Sequence, residues 1–220
     1  MRRLVLSDIH GGYKGLKQVF ELANVDYEND RVIVIGDVCD GWPEVKECFE
    51  ELLKLKNLIY ILGNHDEWTI EYYKGDKQYV KSLWYTQGGK ATLESFGESI
   101  PSPIMNILNN AKLYHIEDNM VFVHGGFDTM VPIESQDKKT LIWDRSLIKK
   151  KVETDYDKIF VGHTPTLMYD TMLPIRNGKL IMMDTGASYY GPLTIMDIDT
   201  EEFWQSDPVC GFYPGIKPRG

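Results

Sequence analysis

The chain has few cysteines and no long apolar segment, and both shortages argue against particular classes of protein. Its three cysteines, Cys39, Cys48 and Cys210, include no close pair. This argues against a zinc knuckle or a CxxC redox motif and indicates reduced thiols in a reducing compartment. No apolar run approaches the ~20 residues that a membrane-spanning helix requires. The sequence therefore predicts a cytoplasmic protein without a membrane partner.

The chain also lacks an excess of basic residues. It has 24 lysines and arginines against 33 acidic residues, which gives a formal net charge of -9. Because non-specific nucleic-acid binding requires basic side chains that neutralise phosphates, we expect no nucleic-acid partner. A small phosphorylated substrate is compatible with this charge, since bound metal ions reverse the local electric field. The sequence leaves the oligomeric state open.

What the chain does contain is an alternation of apolar and amphipathic segments. Short β-prone runs are separated by stretches with apolar residues at helical spacing. This pattern predicts an α/β fold with parallel strands and crossover helices. The predicted strands lie at 3–6, 31–35 and 57–62, within 120–126, 158–165 and 179–186, and as an antiparallel pair within 193–204; the predicted helices lie at 13–24 and 43–56. Ligand sites on such sheets form at the carboxyl ends of the strands.

Residues 67–112 break this alternation. They are rich in tyrosine, glycine and polar residues, and Gly88-Gly89 and Pro101-Ser102-Pro103 punctuate them. We therefore predict a mostly helical insertion on the rim of the active site. Because a chain of 220 residues suits one domain with a modest insertion, the predicted organisation is a single domain over residues 1–220.

Four of the five histidines come just after an apolar strand, and acidic or amide side chains share those positions. Taken singly, such residues commonly cap helices or form turns. Taken together, they supply the carboxylate, imidazole and amide ligands that suit manganese, iron or zinc. Two such ions roughly 3.5–4 Å apart can clamp the attacking and leaving oxygens of an in-line displacement. The strand-end residues are Asp8, His10, Asp37, Asp40, Asn64, His65, His124, His163 and Asp184.

Most of these residues fall into five ordered motifs: Asp8-Ile9-His10, Gly36-Asp37-Val38-Cys39-Asp40, Gly63-Asn64-His65-Asp66, His124-Gly125-Gly126 and Gly162-His163-Thr164-Pro165. The set resembles the calcineurin-like metallophosphoesterase superfamily, whose pattern runs GDxHG, GDxxDRG, GNHE, HGG and GHTP. It is most similar to the protein-phosphatase branch, which includes phage lambda-type and bacterial serine/threonine phosphatases and symmetrical diadenosine tetraphosphate hydrolases. The resemblance extends from Leu4 to about Trp204, apart from the insertion, and five motifs in order are highly specific. It implies a four-layer α-β-β-α sandwich with two mixed sheets.

The resemblance also implies a role for each position. Two metal ions would share one bridging carboxylate, with Asp8, His10 and Asp37 as ligands of the first ion and Asp37, Asn64, His124 and His163 as ligands of the second. His65 would be the general acid, and Asp40 would orient it. The implied cofactor is a pair of divalent ions, manganese first, with iron and zinc as alternatives.

The implied reaction is hydrolysis of a phosphate ester or phosphoanhydride by a hydroxide that bridges the two ions. The main hypothesis is a serine/threonine phosphatase-like phosphomonoesterase that acts on a phosphorylated protein. The alternative is a dinucleoside polyphosphate hydrolase, with a nucleotide substrate such as diadenosine tetraphosphate. A third hypothesis is a metal-retaining scaffold without activity, and the complete ligand set together with His65 argues against it.

Two positions depart from the family pattern. Asp66 stands where GNHE has glutamate, and Gly41 stands where GDxxDRG has arginine. A phosphate in a dinuclear site usually needs a cationic, bidentate partner. Arg145 is the candidate, because Trp143-Asp144-Arg145 resembles the W-x-R segment of the same branch. The alternative is that Asp144-Arg145 opens a helix and forms a surface ion pair of little worth.

Overall fold

The computed structural model describes residues 1–75, 83–149 and 152–218, and strands and helices alternate along them. The strands are β1 (Arg3–Leu6), β2 (Arg31–Val34), β3 (Asn57–Tyr60), β4 (Tyr114–Glu117), β5 (Met120–Val123), β6 (Lys158–Val161), β7 (Ile175–Asn177), β8 (Leu180–Met182), β9 (Thr194–Asp197) and β10 (Phe203–Gln205). The helices are α1 (Tyr13–Leu22), α2 (Val45–Leu52), α3 (Asn64–Lys74), α4 (Lys90–Phe96), α5 (Ser102–Asn109) and α6 (Lys138–Trp143). None of the helices in these ranges is long and apolar enough to cross a membrane.

The strands form two mixed sheets of five strands each. In the first sheet the order is β10-β9-β1-β2-β3, with β1, β2 and β3 parallel, β9 antiparallel to β1, and β10 antiparallel to β9. In the second sheet the order is β4-β5-β6-β8-β7, with β5, β6 and β8 parallel between two antiparallel edge strands. The predicted motifs follow the parallel strands, so they gather at the carboxyl ends of both sheets.

Alternating side chains divide the interior into three apolar layers. Leu4 and Leu6 pack on the side of α1 and α2, whereas Val5 between them packs between the two sheets. Successive residues of a strand point to opposite faces, so a strand buried on both faces contributes to two layers. Phe122 and Phe160 stack in the inter-sheet layer with ring centroids 4.9 Å apart. The third layer lies between the second sheet and α6. These layers confirm the four-layer α/β architecture with two mixed sheets.

The segment between β3 and β4 is mostly helical among its described residues, as predicted. It contains α3, a kinked turn at Tyr85–Gly89 in which Gly88 has a φ of 103°, α4 and α5, while residues 76–82 lie outside the described ranges. The segment contacts α2, where the backbone N–H of Lys46 donates to the Ser95 hydroxyl at 2.9 Å. The helical insertion is therefore anchored against the first turn of α2.

Strands β4 and β7 have no counterpart in the sequence prediction. Both are antiparallel edge strands, with the sequences YHIE and IRN, and neither is fully buried. Because an edge strand is covered on one side only, it needs no continuous apolar run and leaves a weak sequence signal.

Candidate metal centre and active site

The carboxyl ends of the parallel strands from both sheets meet at one cavity of about 410 Å³. The backbone N–H of His163, after β6, donates to the Asp8 carboxylate, after β1, at 3.1 Å. This bond joins the two sheets across 155 positions of sequence. The predicted residues that line the cavity are Asp8, His10, Asp37, Asn64, His65, Arg145 and His163. The other two, Asp40 and His124, are fully buried and contact this lining.

One possible metal-binding group contains His10, Asp37 and His65, whose ligand atoms lie within 4.8 Å of one another. The His10 Nε2 atom is 3.7 Å from Asp37 Oδ2 and 3.9 Å from Asp8 Oδ1. The structure thus brings the three predicted ligands of the first ion together. It also brings His65, which the sequence assigns to proton transfer, within reach of the same ion.

A second group contains Asp37, His124 and His163, again within 4.8 Å of one another. The His124 Nε2 atom is 3.2 Å from Asp37 Oδ2 and 3.0 Å from Asn64 Oδ1. All four predicted ligands of the second ion therefore lie close together. Asp37 belongs to both groups, which is the position that a bridging carboxylate requires.

The donor set fits divalent metal ions. His163 Nε2 is buried and has no hydrogen-bond partner among the described residues, so a neutral imidazole nitrogen is left for a ligand. His10 Nδ1 lies 2.9 Å from the Cys39 carbonyl oxygen, and His124 Nδ1 lies 2.7 Å from that of Ile35. Since a carbonyl oxygen only accepts, each Nδ1 carries the proton and each Nε2 faces the cluster as a potential ligand.

The electrostatics of the site also favour cations. Burial and the nearby Asp184 carboxylate raise the pKa of Asp8 well above its usual range. Burial opposes ionisation of Asp37, but the imidazoles of His124 and His65 outweigh it and hold the pKa of Asp37 well below its usual range. Burial likewise opposes protonation of His124, but Asp37 raises the pKa of His124 to about 10. A negative charge concentrated in this way is offset most directly by bound divalent ions.

The loops that carry these side chains adopt strained backbone conformations. The residues with left-handed φ angles are Asp8 (54°), His10 (47°), Asp37 (53°), Asp40 (71°) and His163 (62°). For residues with a Cβ atom, such a conformation costs on the order of 1 kcal/mol each and tends to occur at functional sites. Hydrogen bonds between the loops hold it: the N–H of Asp8 donates to Gly36 O at 3.1 Å, and that of His10 donates to Asp37 O at 3.0 Å.

Asp66, which departs from the family's glutamate, organises the loop after β2. Its carboxylate accepts the backbone N–H groups of Asp37, Val38, Cys39 and Gly63 at 2.9–3.2 Å. Four donors on one buried carboxylate fix the loop and, with it, the position of the Asp37 side chain. Although aspartate is shorter than the family's glutamate, both carboxylate oxygens of Asp66 thus accept hydrogen bonds.

His65 and Asp40 form a buried pair beside the metal-binding groups. His65 Nδ1 is 2.6 Å from Asp40 Oδ2. The imidazole ring packs edge-on against His10 and Trp68, with centroid distances of 4.9 and 5.0 Å. The pairing matches the arrangement that the sequence predicts for a proton donor and the carboxylate that orients it.

Three residues near this site have no role in the sequence prediction. Asp184 lines the cavity, and its carboxylate accepts the N–H of Gly186 at 2.9 Å. Its position after β8 repeats the strand-end pattern of the other acidic residues, and this pattern is the feature of the sequence that indicates a place in the site. Trp84 and Thr92, from the helical insertion, contact Asp40. No sequence motif surrounds either of them.

The rim of the cavity is more exposed and contains aromatic side chains and one arginine. Trp68 and Trp143 contact each other with ring centroids 5.0 Å apart, and both line the cavity with Arg145. Arg145 Nη2 donates to the His163 carbonyl oxygen at 3.3 Å. Helix α6 ends at Trp143, and the ion pairs found in the described ranges do not include Asp144–Arg145. Arg145 thus lies on the rim of the cavity, and its role in binding phosphate stays a prediction.

Comparison with known proteins agrees with this geometry. The family model for calcineurin-like phosphoesterases matches residues 1–203. The chain belongs to the calcineurin-like phosphoesterase family. Proteins of this family depend on two metal ions, and the paired groups around Asp37 are where this chain would hold them. The chain is accordingly a metallophosphoesterase, a class of hydrolase.

Curated relatives of this phosphoesterase include dinucleoside tetraphosphatases. The chain is 24% identical over 229 residues to the asymmetrical bis(5'-nucleosyl)-tetraphosphatase PrpE of Oceanobacillus iheyensis, covering 90% of this chain and 89% of the relative. It is 33% identical to a symmetrical bis(5'-nucleosyl)-tetraphosphatase of Wigglesworthia glossinidia brevipalpis, but over 67 residues, which is 30% of this chain and 25% of the relative.

Solved structures share the fold of this phosphoesterase. A candidate diadenosine tetraphosphatase superimposes with a TM-score of 0.68 at 16% identity, covering 93% of this chain and 92% of the other. A serine/threonine phosphatase from Saccharomyces cerevisiae superimposes with a TM-score of 0.62 at 16% identity, covering 100% of this chain and 83% of the other. At such identities the likeness concerns the fold alone.

Proposed function

We propose that this phosphoesterase hydrolyses dinucleoside polyphosphates, and that it cleaves them asymmetrically. The observation that carries the proposal is the match to the asymmetrical tetraphosphatase from Oceanobacillus iheyensis, which covers about nine-tenths of both chains. The symmetrical relative matches a short segment. The serine/threonine phosphatase hypothesis, which was the main expectation from the sequence, has only similarity of fold in its favour.

The rim of the cavity supports a nucleotide substrate. Trp68 and Trp143 are half-buried aromatic rings at the cavity that contains the metal-binding groups. Stacking on an aromatic side chain is worth about 1–3 kcal/mol per base and requires no particular base sequence. Arg145 is the cation on the same rim, and its planar guanidinium can bind two phosphate oxygens at once. A base and a polyphosphate chain are the two parts of a dinucleoside polyphosphate.

In this proposal Asp8, His10 and Asp37 hold one divalent ion, and Asp37, Asn64, His124 and His163 hold the other. When bound, the two ions polarise the phosphoryl group and lower the pKa of water. Manganese is the first ion to test, with iron and zinc as alternatives. The protein contributes the fixed positions of the ligands. The loops whose residues have left-handed φ angles and the hydrogen bonds to Asp66 maintain these positions.

The remaining chemistry belongs to His65, Asp40 and Arg145. Hydrolysis of a phosphoanhydride breaks one P–O bond, and water supplies the oxygen of the new one. The leaving phosphate oxygen gains negative charge, and His65 donates a proton to it. Asp40 holds the imidazole by the 2.6 Å contact at Nδ1, so that the other ring nitrogen can serve the substrate. Arg145 binds phosphate oxygens that the ions do not reach.

The proposal is tested with a panel of substrates. The purified protein is loaded with manganese and incubated separately with diadenosine tetraphosphate, a phosphothreonine peptide and p-nitrophenyl phosphate, and nucleotide products are resolved by chromatography. We expect the highest kcat/KM on diadenosine tetraphosphate, with ATP and AMP as products.

Each other result has a definite meaning. Formation of ADP alone would show symmetrical cleavage and would contradict that part of the proposal. A higher kcat/KM on the phosphopeptide would restore the serine/threonine phosphatase hypothesis. Two bound ions per chain without turnover of any substrate would favour the inactive scaffold.

A further inference from the structure

The Asp40 carboxylate is held from the side of the helical insertion by two buried side chains. The Trp84 indole Nε1 donates to both carboxylate oxygens, at 2.9 Å to Oδ1 and 2.7 Å to Oδ2. The Thr92 hydroxyl donates to Oδ1 at 2.6 Å. All three residues are fully buried. His65 Nδ1 approaches Oδ2 at 2.6 Å.

These contacts determine which atoms carry protons. An indole N–H can only donate. The Thr92 hydroxyl oxygen accepts the backbone N–H of Asp40 at 2.8 Å, so its own proton is directed to Asp40 Oδ1. A carboxylate that accepts from both partners is suited to the ionised form. His65 Nδ1 must then be the donor to Asp40, which leaves Nε2 as the nitrogen that can exchange a proton with a substrate.

The insertion is fixed against the loop after β2 by further contacts. The N–H of Gly41 donates to the carbonyl of Gly88 at 3.3 Å. Trp84 packs on Tyr72 of α3 with a centroid distance of 4.9 Å. Gly89 lies directly against the indole, and a Cβ atom at Gly89 would approach the Trp84 ring to 2.5 Å. The position of the indole is thus determined by close packing on more than one side.

We propose that Trp84 and Thr92 are positioning residues for proton transfer. The helical insertion holds Asp40 in place, and Asp40 in turn orients His65. The inference rests on the proposed proton-donor role of His65. It assigns to the insertion the function of completing the active site, in addition to forming part of its rim.

The first test replaces each residue by a related side chain that lacks the hydrogen-bond donor. Trp84→Phe loses the indole donor, and Thr92→Val loses the hydroxyl. We expect kcat on phenyl phosphate, whose phenol leaving group needs a proton, to fall about 10-fold to 100-fold, the usual scale for residues that orient a directly acting side chain. KM and metal content should stay near those of the parent. On p-nitrophenyl phosphate, whose leaving group needs little protonation, the loss should be several-fold smaller than on phenyl phosphate, because unsubstituted phenol has a pKa of about 10, like tyrosine; these are the two substrates that the tests below compare. Thr92→Ser should recover most of the activity, because it restores the hydroxyl.

Matched controls separate positioning from general damage to the core. Trp42 is also a buried tryptophan, and its Nε1 donates to the Ala187 carbonyl at 2.8 Å. Thr166 is also a buried threonine, and its hydroxyl has no hydrogen-bond partner in the described ranges. Trp42→Phe and Thr166→Val should change kcat on the two substrates by equal factors.

A second test leaves all four interacting residues in place. Gly89→Ala fits the local backbone, which has φ −60°, but its methyl group must displace the Trp84 ring. It should reproduce the selective loss seen in Trp84→Phe. Gly211→Ala is the control, because a Cβ atom at Gly211 meets open space. Its kcat on both substrates should equal that of the parent.

Proton NMR provides a readout that needs no turnover. The His65 Nδ1–H in its short contact with Asp40 should give a downfield resonance that is absent in His65→Asn. We expect Trp84→Phe, Thr92→Val and Gly89→Ala to shift or broaden this resonance, whereas Trp42→Phe leaves it unchanged. An unchanged resonance in the first three variants, or equal losses on both substrates, would overturn the inference.

Failure of the inference and failure of the proposed function give different results. If His65→Asn slows both substrates equally, the proton-donor role is wrong and the positioning role is overturned with it. If His65→Asn shows the leaving-group dependence and the Trp84, Thr92 and Gly89 variants do not, the proposed function stands and the positioning role alone is wrong.

Discussion

Strand β1 begins at Arg3 and is followed by Asp8, and these two side chains meet different surroundings at the opposite ends of the strand. At the amino end, Arg3 pairs with Glu117 and Asp199 at 3.0 Å. Arg31, at the start of β2, shares Glu117 at 2.7 Å. At the carboxyl end, the acidic residues after the same two strands are buried and face imidazoles.

The comparison shows two ways to accommodate charge at the ends of a sheet. At the amino end the chain supplies its own arginines, so the charges are neutralised once the protein folds and contribute modestly to stability. At the carboxyl end the buried acids raise the pKa of His124, and burial raises the pKa of Asp8, so protons neutralise the site until divalent ions bind and displace them. We infer that the first end serves the fold and the second serves metal binding. The predictions below test this division.

The largest effect is expected at the bridging position. Asp37→Asn should lose both ions and nearly all activity, because one carboxylate serves both metal-binding groups. Metal content after dialysis is the measurement. Asp30→Asn is the control, since Asp30 is also buried but pairs with Arg2; it should keep both ions. Retention of two ions per chain by Asp37→Asn would show that the assignment is wrong.

The next effect concerns His65, which lies close to His10 and Asp37. His65→Asn should keep both ions and slow turnover about 10²–10⁴-fold, the usual contribution of a general acid. The loss should be smaller on p-nitrophenyl phosphate than on phenyl phosphate, whose leaving group has a pKa of about 10, like tyrosine. His115→Asn, which removes a histidine from edge strand β4, should leave turnover unchanged. Loss of an ion from His65→Asn would instead identify His65 as a metal ligand.

On the rim, Arg145→Ala should reduce kcat/KM while both ions remain. Loss of a charge-assisted bidentate contact in the transition state costs about 2–4 kcal/mol. Arg145→Lys should recover part of this, because a point charge lacks the planar fork. Arg176→Ala, which removes an arginine at the surface, is the control. Unchanged kinetics for Arg145→Ala would leave the site without an identified arginine. Gly41 cannot easily replace it, since its φ is 86° and a Cβ atom there would approach His10 O to 2.9 Å.

A smaller effect is expected for the tryptophans of the rim. Trp68→Leu and Trp143→Leu should each raise KM for diadenosine tetraphosphate about 10-fold, which corresponds to the loss of one base stack. KM for p-nitrophenyl phosphate should change little, because that substrate has no nucleobase. Steady-state kinetics on both substrates is the measurement. Equal changes on both would indicate that the tryptophans shape the metal-binding groups rather than bind a base.

The smallest effect is expected at the amino end of the sheets. Burial opposes ionisation of Glu117, but hydrogen bonds from Arg3, His115 and Arg31 outweigh it and lower the pKa of Glu117 from 4.5 to about 2. The stabilisation is therefore complete above pH 4.5 and is lost as the pH falls from 4.5 through 2. Glu117→Gln should cost about 1 kcal/mol at pH 7 and progressively less in that acidic range. Urea denaturation at several pH values measures this; a cost that does not depend on pH would contradict it.

The sequence predicts much of the carboxyl-end site because each motif is continuous with an apolar strand. The position of Asp8 or His163 in space follows from the strand before it, and parallel strands bring their ends together. The five motifs therefore indicate the two metal-binding groups without any knowledge of contacts. Asp184 follows the same rule at the end of β8, but no motif of the family pattern assigns it a role.

The contacts from the insertion could not be predicted in the same way. Trp84 lies 44 positions and Thr92 lies 52 positions from Asp40 in the sequence. No apolar pattern of the intervening segment relates the two side chains to Asp40. Which side chain of such a segment faces the active site depends on tertiary packing, here on Gly41, Gly88 and Ser95. The edge strands β4 and β7 were missed for a related reason, because one-sided burial leaves little apolar pattern.

The most direct test of the division between the two ends is the metal stoichiometry of the parent protein. Chelator-treated protein is titrated with manganese by calorimetry, and the bound metal is then counted by elemental analysis. We expect two ions per chain in the parent and in Glu117→Gln, and none in Asp37→Asn. Binding of no ion by the parent, or full activity with a single ion, would contradict the assignment of the carboxyl end as a dinuclear metal centre.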